Sequence, residues 1–269
     1  MSIIRRIGFR LSQTALRPPL VWIRHRGLSP ADVMIASYPR SGNTWFRFLL
    51  ANILTGEASG FENINRAAPQ MGLQAIGRPL LPGGGRLIKT HEPWRREYGR
   101  AVYLVRDVRD VMLSYFSRGK ALGLMPGMTL DEFMPRFLAG RFSAVGSWAN
   151  HVRTWLESPL AASGGVLVVR YEDMRADTRG GLEELLKFLG CALDGFAIEK
   201  AIAANSLEQM RAEEDRSQYF PRGADGSGRF VREGAVEGWR QKLTPAQVAL
   251  VNQYAGTELA RMGYSVGEQ

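Results

Sequence analysis

In the stretch "RLIKTHEPW", Lys89 and His91 stand two residues apart at the end of a short apolar run. On an extended chain, residues i and i+2 project to the same side. One cation and one imidazole would then face the same space. An imidazole titrates near neutral pH and suits a general base, while an ammonium suits a leaving group that gains negative charge. A Lys-x-His pair alone carries little. Its place at a strand end, behind the Gly-rich approach "LPGGG", gives it weight.

Three further groups bear chemistry. "SYPRSGNTW" (37–45) follows an apolar run and opens a helical pattern. Backbone N–H groups of residues 41–45 would point out of a helix N-terminus, a ready site for phosphate or sulfate. Arg40 adds a fixed charge, Ser41 and Thr44 add hydroxyls, Asn43 adds an amide, Gly42 gives a turn, and Trp45 offers a face to a base. The triphosphate loop G-x-x-x-x-G-K-[ST] is absent. In "LVRDVRDVMLSYF", Arg106 ends a strand pattern and Ser114 lies eight residues on, about two helical turns, so the two could grip a second phosphate. The alternating Arg-Asp pairs would equally form local ion pairs. "RFVREGAVEGWRQKLT" (229–244) is basic and Gly-containing, suited to close over a phosphate with backbone N–H groups and Arg232.

The elements that must position these groups alternate along the chain. Runs 33–37, 86–90, 101–106 and 166–171 read as buried strands, and 45–55, 108–119, 129–140, 146–158, 178–190, 194–205 and 244–264 as helices. This alternation predicts an α/β fold, a parallel sheet with helices on both faces. In such sheets ligands sit beyond the carboxyl ends of the strands. Stretches 56–85, 119–128 and 214–230 read as loops, and their Phe61, Phe116, Met125, Tyr219 and Phe220 are candidates for an apolar acceptor pocket.

The 269 residues suit one domain, taken as 30–269, behind an extension, 1–29, that holds six arginines and no acid. Charges interrupt every apolar core in that arm, which excludes a signal peptide, and no run is long enough to span a membrane. A packed or solvated extension is the expectation; an arm lying on an anionic membrane surface and an organelle transit peptide are the alternatives. The net charge of +9 favours anionic partners. One cysteine, Cys191, excludes an internal disulfide and reads as a core or cap residue, and with three histidines a structural zinc site is not expected.

Taken together and in order, "YPRSGNTW" (38–45), "KTH" (89–91), "RDVRDVMLSY" (106–115), "YEDM" (171–174) and "REGAVEGW" (232–239) resemble the cytosolic-type sulfotransferase family, as does "GSWANHVRTWLE" (146–157). The family's pattern is Y-P-K-S-G-T-T-W, K-T-H, R-x-x-x-D-x-x-x-S-Y, Y-E-D-M and R-K-G-x-x-G-D-W. The resemblance spans about 33–264 and implies a P-loop-like three-layer fold with a central parallel sheet flanked by helices. It implies the donor 3′-phosphoadenosine 5′-phosphosulfate (PAPS), no metal, and a hydroxyl or amine acceptor on a small molecule, lipid or glycan. It places residues 40–45 at the 5′-phosphosulfate, with Trp45 against adenine, and Arg106, Ser114, Arg232, Glu233 and Gly234 at the 3′-phosphate. Tyr171, Asn205 and Ser206 fall near the base, with His91 as catalytic base and Lys89 steadying the transferring group. A cytoplasmic enzyme is implied, with peripheral membrane contact through 1–29 as an option.

Departures from the pattern are specific. Arg40 replaces the family's loop lysine, exchanging a point donor for a planar fork. Asn43 replaces a threonine. Glu233 reverses a charge near the 3′-phosphate; if a side chain is needed there, Arg229 or Arg240 must supply it. The family's C-terminal dimer motif is absent, so no oligomeric state is expected from it. A basic nucleic-acid-binding protein would explain the charge but leaves the ordered motifs unexplained. A P-loop kinase is disfavoured by the missing Gly-Lys-Ser/Thr.

Overall fold

The structure is a computed structural model, and it describes residues 27–72, 77–217, 229–231 and 234–267, with Pro19. The basic extension up to Arg26, and with it the membrane-arm reading, lies outside the described residues, as do Tyr219, Phe220, Arg232 and Glu233.

Five strands form one sheet: β1 (Val33–Ser37), β2 (Pro79–Leu81), β3 (Gly85–Thr90), β4 (Arg100–Val105) and β5 (Val166–Arg170), in the order β2-β3-β1-β4-β5. β1 runs parallel to β3 and β4, and β4 runs parallel to β5. Only β2 is antiparallel, an edge strand against β3. The sheet is thus mostly parallel, as expected, with one antiparallel strand added at its edge. Pro79, at the start of a three-residue strand, suits an edge that need not donate every ladder bond.

Every residue of β1 is buried, as a strand covered on both faces should be. Met34 and Ala36 pack into one core layer, while Val33 and Ile35 pack into the other. The first layer is supplied by α3 (Val108–Ala121), α4 (Leu130–Leu138), α5 (Trp148–Leu156) and α11 (Pro245–Arg261). The second is supplied by α1 (Asn43–Thr55), α8 (Thr178–Leu189) and α9 (Gly195–Ala204). Helices sandwich the sheet, giving three layers. Among the residues from Gly27 on that the structure describes, the remaining α-helices are α2 (Ile64–Ala67), α6 (Pro159–Ala162), α7 (Tyr171–Ala176) and α10 (Leu207–Arg216).

The loop stretches are more structured than their composition suggests. Residues 56–85 contain α2 and β2, and α10 runs into the stretch read as loop from residue 214. Phe61 and Met125 do not line a pocket: both are buried, Phe61 against Phe48 (5.1 Å between centroids) and Met125 within the first core layer. Phe116 packs against that layer through Phe133. A loop that carries one large apolar side chain gains most by burying it in the nearest core. Cys191 is half-buried, just past Gly190, which closes α8 at φ 72°.

Candidate active site

β1 is flanked by β3 on one side and β4 on the other, so the chain leaves the sheet centre in both directions at the strands' carboxyl edge. That is the switch point where open α/β sheets bind ligands. Four segments meet there: Tyr38–Gly42 after β1, His91 after β3, Arg106 after β4 and Tyr171 after β5. One cavity is lined by residues from all four, including Arg40, Gly42, His91, Arg106 and Tyr171.

The first loop bends sharply as it leaves β1. Arg40 and Gly42 take left-handed φ values of 73° and 88°. A Cβ on Gly42 would lie 2.5 Å from the Tyr171 ring, so only glycine fits. α1 starts at Asn43, and its first backbone bond runs from Phe46 N–H to the Gly42 carbonyl (3.2 Å). The preceding N–H groups have no acceptor one turn earlier in the helix. Asn43 turns its amide inward and donates to the Ile35 carbonyl (3.3 Å) and Ser37 Oγ (3.1 Å), locking the loop onto β1. Thr44 and Trp45 line the cavity beside it. Ser41 is fully buried, outside the cavity lining.

Register with β1 places Lys89 beside Ile35 and Thr90 beside Ala36. Lys89 and His91 both line the cavity, as their spacing predicts. Burial lowers the Lys89 ammonium to about 7, and the Arg47 guanidinium reinforces the shift. Its Nζ donates to Gln70 Oε1 at 3.4 Å. His91 is lowered well below its usual value, first by burial and then by the charge of Lys89. His91 Nδ1 lies 2.8 Å from the Ser37 carbonyl. A carbonyl only accepts, so Nδ1 carries the proton and Nε2 keeps its lone pair.

A feature not read from the sequence fixes these strand ends. On α5, Trp148, His151 and Trp155 occupy i, i+3 and i+7, one face of a helix. Their ring N–H groups donate to the carbonyls of Arg106 (3.1 Å), His91 (3.1 Å) and Glu92 (3.1 Å). His151 is held in that tautomer by Tyr103, whose hydroxyl donates to its Nδ1 at 2.9 Å. Burial keeps His151 neutral, with its value lowered to about 4. The sequence reads as a helix over 146–158, and only the tertiary structure shows what these ring nitrogens hold.

Arg106 crosses from β4 toward the segment that begins at Gly234. It donates to the Ala235 carbonyl (2.9 Å) and the Arg40 carbonyl (3.4 Å), and its guanidinium lies 4.5 Å from the Tyr171 ring centre. Ser114 Oγ accepts from Arg40 Nε at 3.0 Å, linking the first loop to α3. The local pairing foreseen for the Arg-Asp alternation also exists: Arg109 is bound to Asp107 at 2.6 Å, and Arg106 approaches Asp110 at 3.9 Å. Asp110 lines the cavity, and burial raises it to about 6. Tyr171 donates to the Gly234 carbonyl (3.2 Å), and Gly234 lines the cavity.

Trp45 donates to the Asn205 carbonyl (3.1 Å), stands edge-on to Tyr171 and has Arg175 5.3 Å above it. Asn205 lines the cavity, whereas Ser206 serves as the cap of α10, accepting from Gln209 N–H. Arg229 pairs with Asp215 and Arg240 with Glu237, and neither lines the cavity. Lys242 and Arg175, which the motifs did not single out, do line it.

A glycine-bearing loop that opens a helix, a half-buried Lys/His pair and an Arg/Ser pair meet at one edge of a mostly parallel α/β sheet, the layout of a P-loop-like enzyme. The chain belongs to the sulfotransferase family: the sulfotransferase domain matches residues 30–263. It is 29% identical over 242 residues to Sulfotransferase 1A1 of Canis lupus familiaris, covering 81% of this chain and 80% of that protein. It is 30% identical over 241 residues to Sulfotransferase 1C2 of Oryctolagus cuniculus, covering 81% and 79%. Its fold is similar to that of mouse sulfotransferase SULT7A1 complexed with PAP (TM-score 0.67, 20% identity, 96% of this chain and 91% of that one). It is also similar to retinol dehydratase in complex with androsterone and inactive cofactor PAP (TM-score 0.72, 21% identity, 94% and 85%).

Proposed function

We propose that the cavity at the carboxyl edge of the sheet carries out PAPS-dependent sulfuryl transfer, with His91 as general base, Lys89 and Arg40 on the transferring group and Arg106 on the donor's 3′-phosphate. The observation that carries this reading is the convergence of all four groups on one cavity from three consecutive positions in the sheet, β3, β1 and β4. PAPS supplies an activated sulfuryl group and leaves as adenosine 3′,5′-bisphosphate (PAP). The bond from sulfur to the bridging phosphate oxygen breaks, a bond from sulfur to the acceptor oxygen or nitrogen forms, and the acceptor proton passes to His91 Nε2. Such a transfer is helped mostly by positioning and by charge set where it develops. The N–H groups opening α1, with Arg40 and Lys89, offset the charge growing on the bridging oxygen.

Gly42, Asn43, Thr44 and Trp45, which line the cavity, form the 5′-phosphosulfate cradle in this reading, and Ser41, buried behind them, supports the loop. Ser114, Gly234, Arg232 and Glu233 join Arg106 at the 3′-phosphate, and Tyr171, Asn205 and Ser206 flank the base. Lys242 and Arg175 supply the cationic side chains that Glu233 does not. The acceptor is a small molecule bearing a hydroxyl or amine, and the site of action is the cytoplasm. The androsterone and retinol held by fold relatives support an apolar acceptor. A lipid acceptor and peripheral membrane contact rest on the composition of the arginine-rich arm, and a glycan acceptor on the family resemblance alone.

A thermal-shift titration tests the donor. Adenosine 3′,5′-bisphosphate raises the melting temperature in the presence of a chelator, whereas ATP with Mg²⁺ does not. Stabilisation by ATP–Mg²⁺ alone would refute the reading.

A further inference from the structure

Glu214, on the last turn of α10, is 2% exposed. A carboxylate so buried is costly unless its oxygens are hydrogen-bonded. Here both are: they accept from the backbone N–H groups of Phe230 (2.5 Å) and Val231 (2.8 Å). Charge-assisted bonds of this kind are among the stronger ones in proteins. The charged group facing Glu214 from α3 is Arg118, whose guanidinium feels its field. The carboxylate therefore acts as a two-point clamp on the backbone at Phe230 and Val231.

What the clamp holds is Phe230, and Phe230 holds Arg40. The Phe230 carbonyl accepts from an Arg40 Nη at 3.4 Å, and its ring centre lies 4.8 Å from the guanidinium carbon. The same ring packs edge-on against Phe61 at 5.9 Å. Arg40 is gripped at its other end by Ser114 Oγ. A long side chain rising from a left-handed backbone, φ 73°, has many rotamers to lose. Two grips, one from α3 and one from Phe230, select a single direction for its planar fork.

We propose that Glu214 is a positioning residue for sulfuryl transfer: by clamping the Phe230–Val231 backbone it aims the Arg40 guanidinium at the transferring group. This rests on the role given to Arg40 above. It assigns work to an acidic residue on a helix outside the nucleotide motifs.

The test is a double-mutant cycle on the full chain, reading kcat with PAPS and the affinity for adenosine 3′,5′-bisphosphate. Glu214→Ala is expected to lower kcat by roughly 10- to 100-fold, the range for a small misplacement of a reacting group. Affinity for the bisphosphate, which lacks the sulfuryl group, changes less than about threefold on that account. Glu214→Gln keeps one acceptor oxygen and turns an amide toward the second N–H. It is expected to show a smaller loss and keeps the test open if the alanine variant does not fold. In an Arg40→Met background, which lowers kcat by itself, neither Glu214 change lowers kcat further. Equal fold-losses in both backgrounds would overturn the positioning role while leaving the Arg40 reading intact. An Arg40→Met enzyme with full turnover would overturn both.

Discussion

Lys89 offers the sharpest handle on donor binding, because its charge is poised in the free enzyme. Burial and the neighbouring Arg47 lower it to about 7. In the proposed pose the 5′-phosphate oxygens of PAPS, which adenosine 3′,5′-bisphosphate keeps, sit beside Lys89 and would restore the ammonium toward its ordinary value of about 10.4. The sign follows directly. Above pH 7 the free enzyme has lost this proton and the complex keeps it, so binding takes up a proton and affinity falls as pH rises. At pH 8 the uptake is about 0.9 proton, and between pH 7 and 8.5 affinity falls roughly 15-fold. The window isolates Lys89. His91 is lowered well below 6.5 and stays neutral, and Asp110, raised to about 6, is already ionised. Isothermal titration with adenosine 3′,5′-bisphosphate in buffers of different ionisation enthalpy measures the uptake. The wild type is expected to show it at pH 8 and Lys89→Met to lose it. A flat affinity from pH 7 to 8.5, or the same uptake in Lys89→Met, would refute the assignment.

Two substitutions probe the rest of the cradle. Arg106→Ala removes a charge-assisted contact of about 1.5–3 kcal/mol, so affinity for the bisphosphate falls roughly 10- to 150-fold. Affinity for adenosine 5′-phosphosulfate, which lacks the 3′-phosphate, changes little; equal losses for both ligands would remove Arg106 from the 3′-phosphate. Gly42→Ala forces a Cβ to 2.5 Å from the Tyr171 ring at φ 88°. Backbone strain alone costs about 1–3 kcal/mol, so a lower melting temperature and lost nucleotide binding in calorimetry are expected; an unchanged variant would show that the loop is not held as described.

Much of the cavity was legible because each loop is a run of consecutive residues placed by one strand end. Lys89 and His91 face one space because β3 extends to Thr90, and Arg106 follows β4 directly. Such relations need only the period of a strand. Trp148, His151 and Trp155 were not legible as site residues. Their stretch reads only as a helix, and the carbonyls they hold come from segments far away in the chain. Glu214 was hidden for the same reason: in the polar run "RAEEDRSQ" it reads as surface, and only α10's packing buries it. β2 was missed because Pro79 and three following glycines in its connection read as a turn. Arg229 and Arg240, offered as replacements for the missing family cation, pair instead with Asp215 and Glu237.

The central claim is that this cavity moves a sulfuryl group from PAPS to an acceptor through His91. The direct measurement incubates the enzyme, in chelator, with ³⁵S-labelled PAPS and a combined lipid and aqueous extract of its host. Labelled product and released adenosine 3′,5′-bisphosphate are followed together, for wild type and for His91→Ala. The account predicts equimolar label transfer and bisphosphate release by the wild type. It also predicts loss of nearly all transfer in His91→Ala, with bisphosphate affinity preserved. Transfer at the wild-type rate by His91→Ala, or none by a wild type that fails to bind the bisphosphate, would contradict it.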